Sequence, residues 1–427
     1  MNDVRRSVHQ ALAEVKTVDP HCHLRPEKPS ADNLADILLY HHVWIELVSS
    51  GMPQRAVSRV GLPQEIAEPE VPALERVRRC LPYLASIEAT TCGLFLRWIL
   101  HDLYGLERLT EANLEAAFRL VEERGGSREW QEGVLRERCG IEASISVERG
   151  GAPHSPTLFL GREGLPINIV DGKRSPREVL TSMEALLGRE IRSAYDYREL
   201  LQRLLRERPL DELKFVGLWP LPYLTPQSAR EQEMGRILAR AAAGEPLSPD
   251  EAGSFSYYAM TSVLEEMRRS KLRVVQVIVG AEVLPPHRAL THWSGEFPGA
   301  MARIANLYQD FHFNLASASD LYTQDLGILA KHFPNISVAG YWWHTLYPFY
   351  IRKSLESRLD MVPINKIIGY FSDAYHSEWC YPKLKMVKQV VEGILVERVE
   401  RGWYTLDTAL EVVGRLFHRN AKEIYGP

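Results

Sequence analysis

Two histidines two positions apart, His21 and His23 in the segment TVDPHCHL, are the residues on which a chemical reading of this chain turns. On an extended backbone residues i and i+2 face the same side, so both imidazoles can point at one site with their Cα atoms about 6–7 Å apart. Neutral imidazole is a common metal ligand and suits zinc, iron and nickel. Paired histidines also occur by chance on protein surfaces, so their place in the chain decides what they mean. They follow Thr17 and Val18, which read as the end of a short strand that Asp19 and Pro20 would break. Near the other end of the chain Asp373 stands in GYFSDAYHSEW, again just after an apolar run. Alone it reads as a helix cap; beside two histidines it reads as a third ligand.

The elements that must position these groups alternate in type. Short apolar runs at 141–147, 166–171, 215–220, 274–280, 311–317, 336–343 and 367–374 read as strands, and helical stretches separate most of them. With Thr17–Val18 this predicts eight strands, the number of a closed (β/α)8 barrel. An open doubly wound sheet is the alternative, but no GxGxxG or phosphate-binding glycine loop is present. Residues 1–16 read as an amphipathic helix, and 17–427 as the barrel. A further helix is predicted through LADILLYHHVWIELVSSG, capped by Ser30 or Asp32, and a helical insertion over about 52–138 follows the first strand. In a barrel the chemistry sits at the carboxyl ends of the strands, and the first and last strands are neighbours. Asp373 can therefore approach His21 and His23. Two imidazoles and one carboxylate leave coordination positions open for water or substrate.

Other candidates sit at strand ends. Trp342, Trp343 and His344 cluster after the seventh strand and could floor a substrate pocket or simply fill core. His41 and His42 lie on the helix after the first strand, where only one of two adjacent residues can face the site. His376 also follows a strand, His287 and His292 lie on a long loop, and His312 lies within a strand and reads as core.

Composition narrows the class. The 427 residues are 45% hydrophobic and 25% charged, with net charge −4 and no charged block, so nothing in the composition suggests a nucleic-acid or membrane-surface binder. The five cysteines are odd in number and scattered, with no CxxC, so they read as reduced thiols of a cytoplasmic protein; Cys22 is expected to face the core. No apolar run suits a signal peptide or a membrane span. The partner class is a small molecule, with a homo-oligomer allowed and not required.

More specific features are ordered along the chain. DPHCHL, LADILLYHHVWIELVSSG, TCGLFLRWILHDLYG, REWQEGVLRERCGIEASI, FPNISVAGYWW and IIGYFSDAYHSEWCYPKLKMVKQVVEGIL together resemble uronate isomerases, a family of the amidohydrolase superfamily, and especially its shorter, divergent branch. The resemblance implies aldose–ketose isomerisation of glucuronate, galacturonate or a related sugar acid through an enediol. It implies one divalent ion, zinc first and manganese, iron or nickel as alternatives, held by His21, His23 and Asp373. It places His41 near the substrate, His42 where the family commonly has a tyrosine, and Trp342 or Trp343 at the strand-seven tryptophan. Two family arginines are replaced, by Tyr375 and Ile169. A bidentate grip on a carboxylate cannot be copied by either, so either Lys173, Arg174, Arg288 or another cation replaces the lost contacts, or the substrate is not a simple uronate. A hydrolase or decarboxylase on the same metal site, with Asp373 as proton shuttle, and a non-catalytic homologue are the alternatives.

Overall fold

The computed structural model describes residues 3–55, 70–148, 157–172, 174–207, 209–220, 224–284 and 288–426. Eight parallel strands make a (β/α)8 barrel: β1 (Thr17–Cys22), β2 (Ile141–Ser146), β3 (Leu158–Arg162), β4 (Leu213–Leu218), β5 (Val274–Val279), β6 (His312–Ser317), β7 (Ile336–Ala339) and β8 (Ile367–Ile368). Among the described residues, no helix is long and apolar enough to cross a membrane. The chain divides into two compact units.

The first unit comprises 1–159, 346–352 and 370–419. In it β1 pairs in parallel with β2, Thr17 against Ile141 and Val18 against Ala143. The strand runs on through Asp19 and Pro20, contrary to the break expected there. The register shifts between Asp19 and Cys22, and such an irregularity accommodates a proline that has no N–H to give. Every residue of β1 is buried. Cys22 faces the core as expected and donates its thiol to the Ile145 carbonyl. Beyond β8 the chain returns to β1: the Asp373 N–H donates to the His21 carbonyl at 3.0 Å, and the His23 N–H to the Ala374 carbonyl at 2.8 Å.

The helix expected after β1 is two helices, Leu34–Leu38 and His41–Ser49, broken where Tyr40, at φ −52° and ψ 137°, leaves the helical region. Its cap is neither Ser30 nor Asp32 but Asn33, whose side chain accepts from the Ala35 N–H. Helices Ala73–Ile87, Thr91–Trp98, Leu114–Gly125 and Arg128–Glu132 fill the stretch before β2. The fully buried Glu378 carboxylate gathers this region. It accepts from Tyr104 Oη at 3.0 Å, Trp130 Nε1 at 3.1 Å and the Ala31 N–H at 3.1 Å. With a fourth from Ser377 Oγ at 3.1 Å, these hydrogen bonds to one buried carboxylate offset its desolvation.

The second unit comprises 160–345, 353–369 and 420–427. Its strands pair in parallel in chain order. β5 and β6 run six residues in register, from Val274–His312 to Val279–Ser317, with Val275, Val277, Phe313 and Leu315 buried. The third strand is not at 166–171 but earlier, at Leu158–Arg162. Ile167 and Ile169 are buried, which explains their apolar alternation, but their segment makes no ladder. Tyr197 Oη instead donates to the Pro166 carbonyl, and Asn168 Nδ2 to the Trp219 carbonyl. The long loop after β5 contains an antiparallel hairpin, Ala281–Leu284 with Arg288–Thr291.

Candidate metal centre

His21 and His23 project from the carboxyl end of β1, their ring centroids 5.4 Å apart. Asp373 lies between them. Its Oδ1 is 3.5 Å from His21 Nε2 and 3.3 Å from His23 Nε2. Ligands about 2.0–2.2 Å from a tetrahedral ion stand roughly 3.3–3.5 Å from one another. The donor spacing therefore fits an ion shared by all three better than direct hydrogen bonds, and the donor set of two imidazoles and a carboxylate fits a divalent metal.

The backbone explains why the carboxylate reaches this point. Asp373 has φ +48°, a left-handed conformation that few residues other than glycine adopt. Three hydrogen bonds from two side chains hold it there. Lys383 Nζ donates to the Ser372 carbonyl at 2.7 Å and to the Asp373 carbonyl at 3.2 Å, and Tyr40 Oη donates to the Asp373 carbonyl at 3.2 Å. Tyr40 is itself stacked on Trp379 at 4.2 Å. Asp19, below, accepts the Ser372 N–H at 2.9 Å, and burial pushes its carboxyl up to about 6. Burial opposes ionisation of Asp373 too. The imidazoles of His21 and His23 close by, with the Lys383 charge, nevertheless hold its carboxyl well below the ordinary range.

The outer nitrogen of His23 is also fixed. Glu148 Oε1 lies 3.0 Å from His23 Nδ1, leaving Nε2 toward Asp373. A carboxylate behind a histidine sets its tautomer and raises its basicity as a ligand. Glu148 was not singled out in the sequence, although its position just beyond β2 was the available signal. Tyr375 lies flat on the His23 ring, 4.3 Å between centroids and 7° between planes. His41 is buried beside Tyr40, His42 and Tyr375, and burial with the Lys383 charge pushes its imidazole down to about 3. His42 is half-buried next to it. His376 is buried at the start of the helix Ser377–Glu400.

The remaining candidates belong to the second unit. Trp342 and Trp343 stack at 5.1 Å, and Trp219 meets both edge-on, at 5.0 and 6.4 Å. Trp219 follows β4 and was read only as the tail of a strand. Trp343 has φ +44°, so both non-glycine residues of positive φ among those described follow barrel strands. His344 is half-buried in the same turn. Arg174 is exposed, and its guanidinium engages Asp171 at 2.6 Å and Ser182 at 2.8 Å. Lys173 and His287 lie outside the described residues, as does the side chain of Arg288. Glu163 stands directly after β3 and was overlooked because that strand was expected later in the chain.

No protein-family model matches the chain. A uronate isomerase of Nostoc punctiforme is 26% identical over 384 residues, 79% of this chain and 78% of that protein. The crystal structure of uronate isomerase from Thermotoga maritima superposes with a TM-score of 0.80 at 15% identity, covering 100% of this chain and 98% of that one. Glucuronate isomerase from Caulobacter crescentus gives 0.79 at 16% identity, covering 99% and 94%. The chain is thus similar in sequence, over most of its length, to a uronate isomerase, and it shares the fold of the uronate isomerases of known structure.

Proposed function

We propose that this chain is a metal-dependent isomerase that interconverts a hexuronate, such as glucuronate or galacturonate, and the corresponding 2-keto sugar acid. The convergence of His21 and His23 on Asp373 Oδ1, at 3.5 and 3.3 Å, carries this reading. His21, His23 and Asp373 would hold the ion, zinc before manganese, iron or nickel. When bound, the ion would polarise the substrate's oxygen atoms as a Lewis acid. Glu148 and Lys383 orient the ligands. His41, kept neutral by burial, is the group proposed to hydrogen-bond the substrate and help move the proton between C2 and C1. In the second unit, the stacked pair Trp342–Trp343 and His344 are the residues proposed for substrate contact. Five buried, unbridged cysteines accord with a cytoplasmic setting.

Metal content and turnover of D-glucuronate and D-galacturonate, measured on the protein and on a His21→Ala/His23→Ala variant, test this. Near-stoichiometric metal and turnover, both lost in the variant, support the isomerase. Metal without uronate turnover would overturn the substrate and favour the hydrolytic reading of the same site. Tyr375, which lies flat on the His23 ring at the position where the resembled family has an arginine, is the observation behind that second reading.

A further inference from the structure

On the opposite end of β1 and β2 from the histidines, the first unit contains a cavity of about 440 Å³ that the proposed reaction does not use. Its walls are the last turn of the helix Asp3–Glu14 with Lys16, the turn into β2, and one face of the helix Ser377–Glu400. The volume lies within the range of about 300–1,000 Å³ typical of small-molecule sites. Five cations line it: Lys16, Arg136, Arg138, Lys385 and Lys388.

Their partners are unequally distributed. Lys385 donates to Asp102 at 2.6 Å, and Arg136 to Thr157 Oγ1 at 2.8 Å. Of the carboxylates in the lining, Glu392 is taken by His9 at 2.9 Å, Glu14 accepts from Gln10, and Glu137 is exposed. No carboxylate pairs with Lys16, Arg138 or Lys388 among the described residues. Lys388 is the half-buried member, set against the Phe417 ring at 5.8 Å. Burial pushes its ammonium down to about 8, and the Lys16 charge pushes the same way, against the opposite pull of the Cys139 thiol. Lys388 is half-buried in the cavity wall while Lys16 and Arg138 are exposed where they line it, and like charges facing one cavity repel each other. An anion between them removes that repulsion and supplies the missing hydrogen-bond acceptors.

We propose that this cavity binds a small dianion of the phosphate class, either inorganic phosphate or a phosphate monoester, between Lys16, Arg138 and Lys388. The site stands at the amino ends of the barrel strands, where residues of a barrel ordinarily serve stability rather than chemistry. Binding there is a regulatory or stabilising event, independent of the isomerase reading. Because the anion favours the charged form of Lys388, binding near pH 8.5 takes up protons.

Titration calorimetry with inorganic phosphate and with a sugar phosphate monoester, in two buffers of different ionisation heat at pH 8.5, tests the proposal on the metal-loaded protein. Lys388→Met and Lys16→Gln should each weaken binding about tenfold or more, with metal content and the far-UV spectrum unchanged. Proton uptake should disappear in Lys388→Met. Tighter binding of the monoester than of phosphate would identify the organic source; equal binding would identify the free ion. No saturable binding of either anion overturns the proposal. So does binding that survives both substitutions and is lost in His21→Ala/His23→Ala, which would place the anion at the histidines.

Discussion

The buried ammonium of Lys383 donates to the backbone carbonyl of Asp373 at 3.2 Å, so the residue that points at both histidines is steered from behind by a lysine on the following helix. The same ammonium holds the Ser372 carbonyl at 2.7 Å and Tyr40 Oη at 3.3 Å. Asp373 needs such a clamp, because its left-handed backbone costs on the order of 1–3 kcal/mol when nothing holds it. Lys383→Met is expected to weaken metal binding about ten- to a hundredfold, as loss of an orienting partner commonly does. Competition with a chelator measures this, and metal affinity equal to the parent's would show that Asp373 keeps its geometry unaided.

Glu148 acts on the other side of the site. Its carboxylate fixes His23 Nδ1 at 3.0 Å and is only partly buried, so the residue should tolerate substitution without loss of fold. Glu148→Gln keeps an oxygen acceptor but removes the charge, and Glu148→Ala removes both. Metal affinity is expected to fall in that order, by about tenfold or more in the alanine variant. Equal affinity in all three proteins would mean that the imidazole is oriented by its stacking on Tyr375 alone.

What the sequence showed was set by how local each signal is. The histidine pair was legible because a period of two on a strand is a local property, and Asp373 because it follows an apolar run. The third strand was misplaced because Ile167 and Ile169 alternate and are buried, and burial without a hydrogen-bonded ladder reads the same in sequence. That error hid Glu163. Glu148, Lys383 and Tyr40 were invisible for a different reason. Glu148 is 125 residues from His23 and Tyr40 is 333 from Asp373, so their roles exist only after folding. Lys383 sits in a helix whose composition gives no hint that it is fully buried.

Gly280, directly after β5, is a position where the fold leaves no choice of residue. Its φ is +88°, and a Cβ there would stand 2.4 Å from Ser317 Oγ and 2.7 Å from the Ser319 N–H. Gly280→Ala combines left-handed strain with overpacking and should cost on the order of 2–4 kcal/mol. Denaturant unfolding measures this, and an unchanged midpoint would show that the turn after β5 can rearrange. Gly244, with φ +74° and no neighbour within 4 Å, is the control, since Gly244→Ala carries the strain without the clash.

Acid should weaken the fold through His312. Its Nε2 lies 2.8 Å from Ser337 Oγ, and burial pushes its imidazole down to about 4, with the Lys366 charge acting the same way. In the unfolded chain it titrates near 6.5, so between these values the unfolded state binds the extra proton and stability rises with pH. The contribution is complete above about pH 6.5 and is lost as the pH falls toward 4, to the extent of on the order of 3 kcal/mol. His312→Asn keeps a polar partner for Ser337 and cannot titrate. The difference in unfolding free energy between parent and variant should therefore change by that amount between pH 7 and pH 4. The comparison cancels other groups, including Asp19, whose raised carboxyl works in the opposite direction and costs stability as the pH rises from about 4 to 6. A difference independent of pH would mean that His312 titrates in the folded protein as it does in the unfolded chain, and that Ser337 and its neighbours accommodate an imidazolium at pH 4.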